Sequence, residues 1–251
     1  MPSLKHRLAD TDNLLTFYMC TIPSPVVTQA IAASGVDSVI IDMEHGAIDH
    51  AQAHAMIAAT QGTGCAPLVR IPETTDANVK RVLDLGAEGI MFPLISNAED
   101  ARNAVAAMTY PPEGRRGFGP FLAQSRWNTD IFGYLSGAAR ELTCCILAET
   151  AEAVENIDEI CAVPGIDIIV PAQFDLSTSL GIPGQFDHPD FIDATQRIEQ
   201  AAKDAGIPLG GVAFTQEQAS ILIAKGYRGF TQFDVLTLRS AAGQLNSWCK
   251  P

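Results

Sequence analysis

The chain has 251 residues, 47% hydrophobic and 18% charged, the composition of a well-buried globular protein and not of a disordered one. Its 29 acidic and 16 basic side chains leave a formal net charge of −13, which argues against nucleic acid or an anionic membrane as partner, because neutralising phosphates takes Lys and Arg. No apolar run approaches the roughly 18 residues of a membrane span, and Met1-Pro2-Ser3-Leu4-Lys5-His6-Arg7 lacks the apolar core of a secretory signal, so a cytoplasmic protein is expected.

Strand and helix patterns alternate along the whole chain. Apolar, β-branched runs predict strands at 14–19, 38–42, 66–70, 89–92, 143–148, 166–170, 207–212 and 228–232. Helical spacing fills the intervals at 25–34, 51–61, 76–86, 97–107, 151–162, 188–205 and 215–225, with a last helix near 235–248. Asn97 is a helix cap, with Asp100 in the first turn and Ala101, Ala104, Val105 and Met108 as the buried stripe. Gly35, Gly86, Gly206 and Gly226 each close a helix just before a strand. Eight strands, each followed by a helix, are the pattern of a (β/α)₈ barrel of the TIM type, with a doubly wound open sheet as the rival. No composition break divides residues 1–251, so one domain is expected. Residues 108–142, Gly- and Pro-rich with Arg115, Arg116 and Arg126, are too long for a simple loop and are expected to form a lid or a subunit contact. The six cysteines are scattered, with Cys144 and Cys145 on opposite sides of one strand, and read as buried thiols of a reducing compartment.

Four of the apolar runs end in charge: Val39-Ile40-Ile41 in Asp42, Glu44 and His45, Leu68-Val69 in Arg70, Ile146-Leu147-Ala148 in Glu149, and Ile169-Val170-Pro171 ahead of Asp175. In a barrel these positions share the carboxyl-end mouth, where the chemistry is done. Glu149 and Asp175 end consecutive strands and can bind a hard divalent ion that keeps open positions for water and substrate. The same two carboxylates could instead do acid/base work, or merely favour a helix start and cap a loop. Arg70 fits a substrate carboxylate bidentately, and would otherwise pair with Asp42 or Glu44. His45 stands at a strand end where Asp42 can orient its ring for proton transfer; the alternative is a passive histidine. His50 and His54 are four apart on a helix without a zinc-type Glu, a weak metal signal. Lys5, Lys80, Lys203, Lys225 and Lys250 are terminal or on outer helices, which leaves no amine for a Schiff base, so carbonyl activation falls to a metal.

These residues resemble the metal-dependent (class II) pyruvate aldolases of the HpcH/HpaI group, which includes 4-hydroxy-2-oxoheptanedioate and 2-dehydro-3-deoxyglucarate aldolases. The likeness is carried by Ile41-Asp42-Met43-Glu44-His45, Leu68-Val69-Arg70-Ile71-Pro72, Lys80-Arg81-Val82-Leu83-Asp84-Leu85-Gly86-Ala87, Tyr110-Pro111-Pro112-Glu113-Gly114-Arg115-Arg116-Gly117, Glu149-Thr150-Ala151-Glu152 and Asp175-Leu176-Ser177-Thr178-Ser179-Leu180-Gly181. The resemblance implies a (β/α)₈ barrel, usually hexameric, with the last helix exchanged between neighbouring subunits. It implies that Glu149 and Asp175 bind the divalent ion (Mg²⁺, Mn²⁺ or Co²⁺), that Arg70 holds pyruvate and its enolate oxygen, and that His45, supported by Asp42, moves the proton at the aldol hydroxyl. The expected reaction is reversible cleavage of a 4-hydroxy-2-oxo acid to pyruvate, or a close 2-oxo acid, and an aldehyde. Arg70, Leu147, Phe174 and Val212 are expected at the substrate.

Two departures stand out. Leu147 occupies a position where relatives usually carry Gln, and Ala172-Gln173-Phe174-Asp175-Leu176 replaces their usual Gly-Pro-x-Asp-Leu, which puts Phe174 beside a metal ligand. They point to a different donor or a hydrophobic acceptor. The rivals are a lyase for citramalyl- or malyl-CoA-type thioesters, which would need a basic groove, and a barrel that binds metal and a 2-oxo acid without turning over.

Overall fold

The computed structural model describes residues 2–250. Its strands are β1 (Leu15–Cys20), β2 (Ser38–Asp42), β3 (Ala66–Arg70), β4 (Gly89–Phe92), β5 (Thr143–Ala148), β6 (Ile168–Pro171), β7 (Leu209–Val212) and β8 (Tyr227–Phe233). They close in sequence order into one parallel barrel, with β8 returning to β1 through Phe17↔Thr231 and Met19↔Phe233. The open-sheet rival is thereby excluded.

The strand period of two divides each strand between two cores. Phe17, Met19, Ile40, Leu68, Met91, Cys145, Leu147, Ile168 and Val170 fill the barrel. Their alternates Cys20, Val39, Ile41, Val69, Ile90, Phe92, Cys144, Ile146 and Ile169 pack under the helices. Cys144 and Cys145 accordingly face opposite ways. Gly229 makes room inside: a Cβ there would lie 2.5 Å from the Phe17 ring.

The amino-terminal face of the barrel is sealed by a helix that the sequence reading missed, Leu4–Ala9. Leu4 and Leu8 are fully buried in the barrel core. Around them Lys5 pairs with Asp167 at 3.0 Å and Arg7 with Asp37 at 2.8 Å, while the Leu4 amide donates to Glu88 at 2.9 Å. Asp37, Glu88 and Asp167 each stand directly before a strand, so carboxylates at the strand starts receive the cationic helix. Arg228 closes the circle by donating to the carbonyls of Leu8 and Asp10. With this end plugged, the carboxyl-end mouth is the accessible one.

Other elements differ in detail. The helix expected at 151–162 is broken into Ala151–Glu155 and Ile157–Cys161, because the Asn156 side chain turns away to donate to the Ser96 carbonyl at 3.0 Å. A short helix, Gln173–Ser179, follows β6. The Asn97 cap is in place, its Oδ1 accepting from the amides of Glu99 and Asp100. Gly206 ends its helix in the left-handed conformation at φ 69°, which a glycine adopts without steric cost.

Residues 108–142 do not cover this chain's own mouth. The segment follows the helix Ala98–Met108 and carries two short helices, Ala123–Arg126 and Ile131–Ser136, before β5. Arg115 reaches Asp76 at 2.8 Å, Arg116 reaches Asp84 at 2.8 Å, and Arg126 packs over Gly86 beside Glu88. These contacts run down the outside of the helix Asp76–Asp84 to the amino-terminal rim. A connection from a helix to the next strand must end at that rim, which is the physical reason no lid forms here.

Candidate active site at the carboxyl-end mouth

β2 and β3 pair in register at Asp42↔Arg70, so the two side chains leave the barrel wall side by side. Arg70 donates from Nε to Asp42 Oδ1 at 2.9 Å and from Nη2 to Oδ2 at 2.7 Å, the two-pronged match of guanidinium to carboxylate. Asp42 is 0% exposed and Arg70 8%. Glu44 adds a second contact, 3.2 Å from Arg70 Nε. Nη1 of Arg70 makes no hydrogen bond to a described residue and is the guanidinium nitrogen left for another anion.

The expected support of the His45 ring by Asp42 is not what this geometry shows. Asp42 Oδ1 accepts from the backbone amides of Glu44 and His45, at 3.1 and 3.2 Å, so it shapes the turn and not the imidazole. Gly46 lets that turn close, since a Cβ there would lie 2.2 Å from the Asp42 carbonyl. The His45 ring is exposed and its nearest carboxylate is Glu44, with Nε2 3.9 Å from Oε2.

Across the mouth, Glu149 follows β5 and is 4% exposed. One of its oxygens accepts from the Leu94 amide at 2.6 Å. Leu94 sits at φ +55°, a left-handed conformation that costs a non-glycine residue on the order of 1 kcal/mol. Only the backbone of Leu94 serves the site, so its side chain carried no signal to read. Burial raises the Glu149 pKa from 4.5 to about 7; the Leu94 bond opposes this, the charges of Asp175 and Glu44 add to it, and Arg70 opposes it. Burial likewise raises Glu44, against Arg70 and His45, with Asp42 and Asp175 adding. Asp175, exposed in the first turn of Gln173–Ser179, faces the same space.

The mouth thus gathers Asp42, Glu44, Glu149 and Asp175 around one guanidinium that two of them already occupy. Such a surplus of negative charge fits a cation. Among the described residues no group of three or more His, Cys, Asp and Glu side chains has the spacing to enclose a metal ion. An ion here would take its protein ligands from the Glu149 and Asp175 carboxylates and leave its other positions to water and substrate, as hard divalent ions of the Mg²⁺ kind do.

Beneath these groups lies a small, open cavity of about 60 Å³. Arg70, Leu147, Phe174, Asp175 and Val212, all anticipated at the site, line it together, and Met19, Met91, Val170, Ala172, Gln173, Thr231 and Phe233 complete it. Asp42, His45 and Glu149 do not line it, and neither does any residue of 108–142. Leu147 is a buried part of the barrel core. Phe174 is half-exposed, its ring edge-on to Phe186 at 5.4 Å.

The model of the HpcH/HpaI aldolase/citrate lyase family matches residues 18–239, nearly the whole barrel. The chain belongs to that family. Its relatives in the HpcH/HpaI family include the 2-dehydro-3,6-dideoxy-6-sulfogluconate aldolase of Pseudomonas putida, 35% identical over 88% of this chain and 87% of the relative. The hydroxypyruvate/pyruvate aldolase of Roseovarius nubinhibens is 34% identical over 82% and 81%. Among solved structures, an HpcH/HpaI aldolase/citrate lyase family protein from Burkholderia cenocepacia superposes with a TM-score of 0.89 at 31% identity, over 98% of this chain and 99% of that one.

Proposed function

We propose that the protein is a divalent-metal-dependent lyase that reversibly cleaves 4-hydroxy-2-oxo acids to pyruvate, or a close 2-oxo acid, and an aldehyde. The observation that carries this reading is the gathering of Glu149 and Asp175 with the Arg70 guanidinium at one mouth, where an open cavity begins. A bound ion would act as a Lewis acid on the 2-oxo group, which makes the C3 proton acidic and the enolate accessible. Arg70, locked by Asp42 and Glu44, needs no reorganisation to offer Nη1 to the oxygen where enolate charge develops. His45, exposed and backed by Glu44, is placed to exchange a proton with the hydroxyl of the incoming aldol. The natural metal is assigned only as a hard ion, Mg²⁺, Mn²⁺ or Co²⁺. The test is pyruvate release from racemic 4-hydroxy-2-oxo acids by metal-stripped protein, before and after each ion is restored. Turnover that ignores metal, or none with any ion, overturns the proposal.

Phe174 is assigned to acceptor choice, because its ring stands half-exposed where the cavity opens beside Asp175. Phe174→Ala is expected to raise kcat/KM several-fold for short hydrophilic aldehydes relative to hydrophobic ones. An unchanged ratio counts against the assignment.

A homo-oligomer with exchange of the last helix is also proposed. Asp234–Cys249 buries only its first residue, and Leu236, Leu238, Leu245 and Trp248 stand exposed. Phe118, Phe121 and Phe132 of the 108–142 segment are exposed as well, which supports the subunit-contact alternative for that segment. A hexamer in light scattering is the expected result, and Leu245→Glu/Trp248→Glu is expected to lower the mass; a monomeric wild type would refute exchange. The cytosol is the proposed compartment, since five of the six cysteines are buried free thiols, Cys20 and Cys65 pushed up to about 12 by burial. No helix among the described residues is long and apolar enough to cross a membrane.

A further inference from the structure

We infer that Thr231 is a specificity-determining residue that reads the substituent on C3 of the 2-oxo acid donor and selects a hydroxyl there over a methyl group. The inference rests on the lyase reading above and deepens it. Thr231 lies on the barrel-facing side of β8, beside Val212 of β7, and is 4% exposed. Its Oγ1 donates to no described residue and accepts from none, yet protein atoms do not seal it off. It lines the cavity beneath Arg70 and Asp175.

That makes it unlike the other buried hydroxyls. Thr28 donates to the Ser24 carbonyl, Thr60 to that of Ile57, Ser38 to that of Ala66 and Ser177 to that of Phe174. Thr143 has no partner either, but its hydroxyl is enclosed by protein at the start of β5, away from the cavity. A buried polar group without a protein partner calls for one from outside. Met19, Met91, Leu147, Val170 and Val212, which share the cavity lining with Thr231, offer no side-chain hydrogen bond. The other uncharged polar group of the lining, Gln173, is half-buried and lies at the rim where its helix starts.

The chemistry follows from that isolation. With the donor's carboxylate paired to Arg70, its C3 arm would extend into the cavity that Thr231 lines. An alkyl arm would strip water from the Thr231 hydroxyl and leave it unpaired. A hydroxyl arm of the same size would replace the water with a direct bond. The donor class selected is therefore the 3-hydroxy-2-oxo acids, of which hydroxypyruvate is the smallest.

The experiment is deuterium exchange at C3 in D₂O, with metal-loaded enzyme and donor alone, so that no aldehyde enters. A C3 proton passes to solvent and a deuteron returns; no other bond changes. Pyruvate is the reference donor, and hydroxypyruvate is compared with 2-oxobutanoate, which carries a methyl group in place of the hydroxyl. Thr231→Val, close to isosteric, is expected to lower the hydroxypyruvate-to-2-oxobutanoate ratio of kcat/KM about tenfold, the scale of one neutral hydrogen bond. Thr231→Ser is expected to keep the wild-type ratio. Exchange with pyruvate together with an unmoved ratio in Thr231→Val overturns this inference and leaves the lyase reading standing. A ratio that moves in Gln173→Leu and not in Thr231→Val also overturns it. Absence of exchange with all three donors in the wild type overturns both readings.

Discussion

Glu149→Gln is expected to abolish metal-restored pyruvate release, by on the order of a thousandfold or more, while making the metal-free protein more stable. The two effects come from one cause. In the folded chain burial holds the Glu149 pKa at about 7, against an ordinary 4.5. A carboxyl whose folded pKa is raised binds its proton more tightly in the native state than in the unfolded one. Stability is therefore lost as pH rises from about 4.5 to about 7, and the loss persists above that. Glutamine keeps the shape and the oxygen that accepts from Leu94 but carries no charge, so at pH 8 the metal-free variant should gain about 1–3 kcal/mol over the metal-free wild type. The wild type should recover the difference when Mg²⁺ or Mn²⁺ is added, and the variant should respond much less, having lost one of two carboxylate ligands. Urea titration at pH 5 and pH 8, with and without ion, reads all of this apart from turnover. A metal response equal in the two proteins would remove Glu149 from the ion site.

Arg70→Ala should be the most damaging single change to the fold that touches the mouth. The guanidinium neutralises Asp42, which has no exposed surface, and Glu44 beside it. Deleting it strands a buried carboxylate, at a cost of about 3–5 kcal/mol. Asp42→Asn in the same chain should restore much of that stability, because the amide oxygen still accepts from the Glu44 and His45 amides and no charge remains to be stranded. Turnover should not return, since the group at the enolate oxygen is gone in both variants. Additive losses in the double variant would mean that the Arg70–Asp42 pair is not coupled. Arg70→Lys should stabilise better than alanine and still lose most activity, because one ammonium cannot hold both Asp42 oxygens and present a free donor at once.

Much of this molecule was legible in its sequence, for a reason visible in β2 to β5. Those strands are covered on both faces, so Val39-Ile40-Ile41 and Cys145-Ile146-Leu147 stand out as unbroken apolar runs and their first and last residues coincide with those read beforehand. The ends of β6 and β7 were less sharp because Ile166 and Ile207, apolar and packed, precede the first ladder bonds. The helix Leu4–Ala9 was missed because only Leu4 and Leu8 point inward, too short a pattern to outweigh its charged neighbours.

Residues at strand ends were legible as a site because charge after an apolar run is unusual; Arg70 and Asp175 at one cavity follow from that alone. What the sequence left open is pairing, with Asp42 offered to both Arg70 and His45. Asp42 turned to Arg70, its lateral neighbour across the β2–β3 register, and not to the ring of His45, its near neighbour in sequence. Thr231 looked like any strand threonine until its lack of a partner and its place on the cavity wall were seen together.

The plugged end of the barrel has a consequence for how the chain comes together. The seat of Leu4 and Leu8 is assembled from Asp37, Glu88, Asp167 and Arg228, and so is finished only when the eighth strand is in place. Until then the helix Leu4–Ala9 lacks its full set of partners. Its docking therefore reports completion of the circle, and a chain cut before Arg228 would hold it loosely at best.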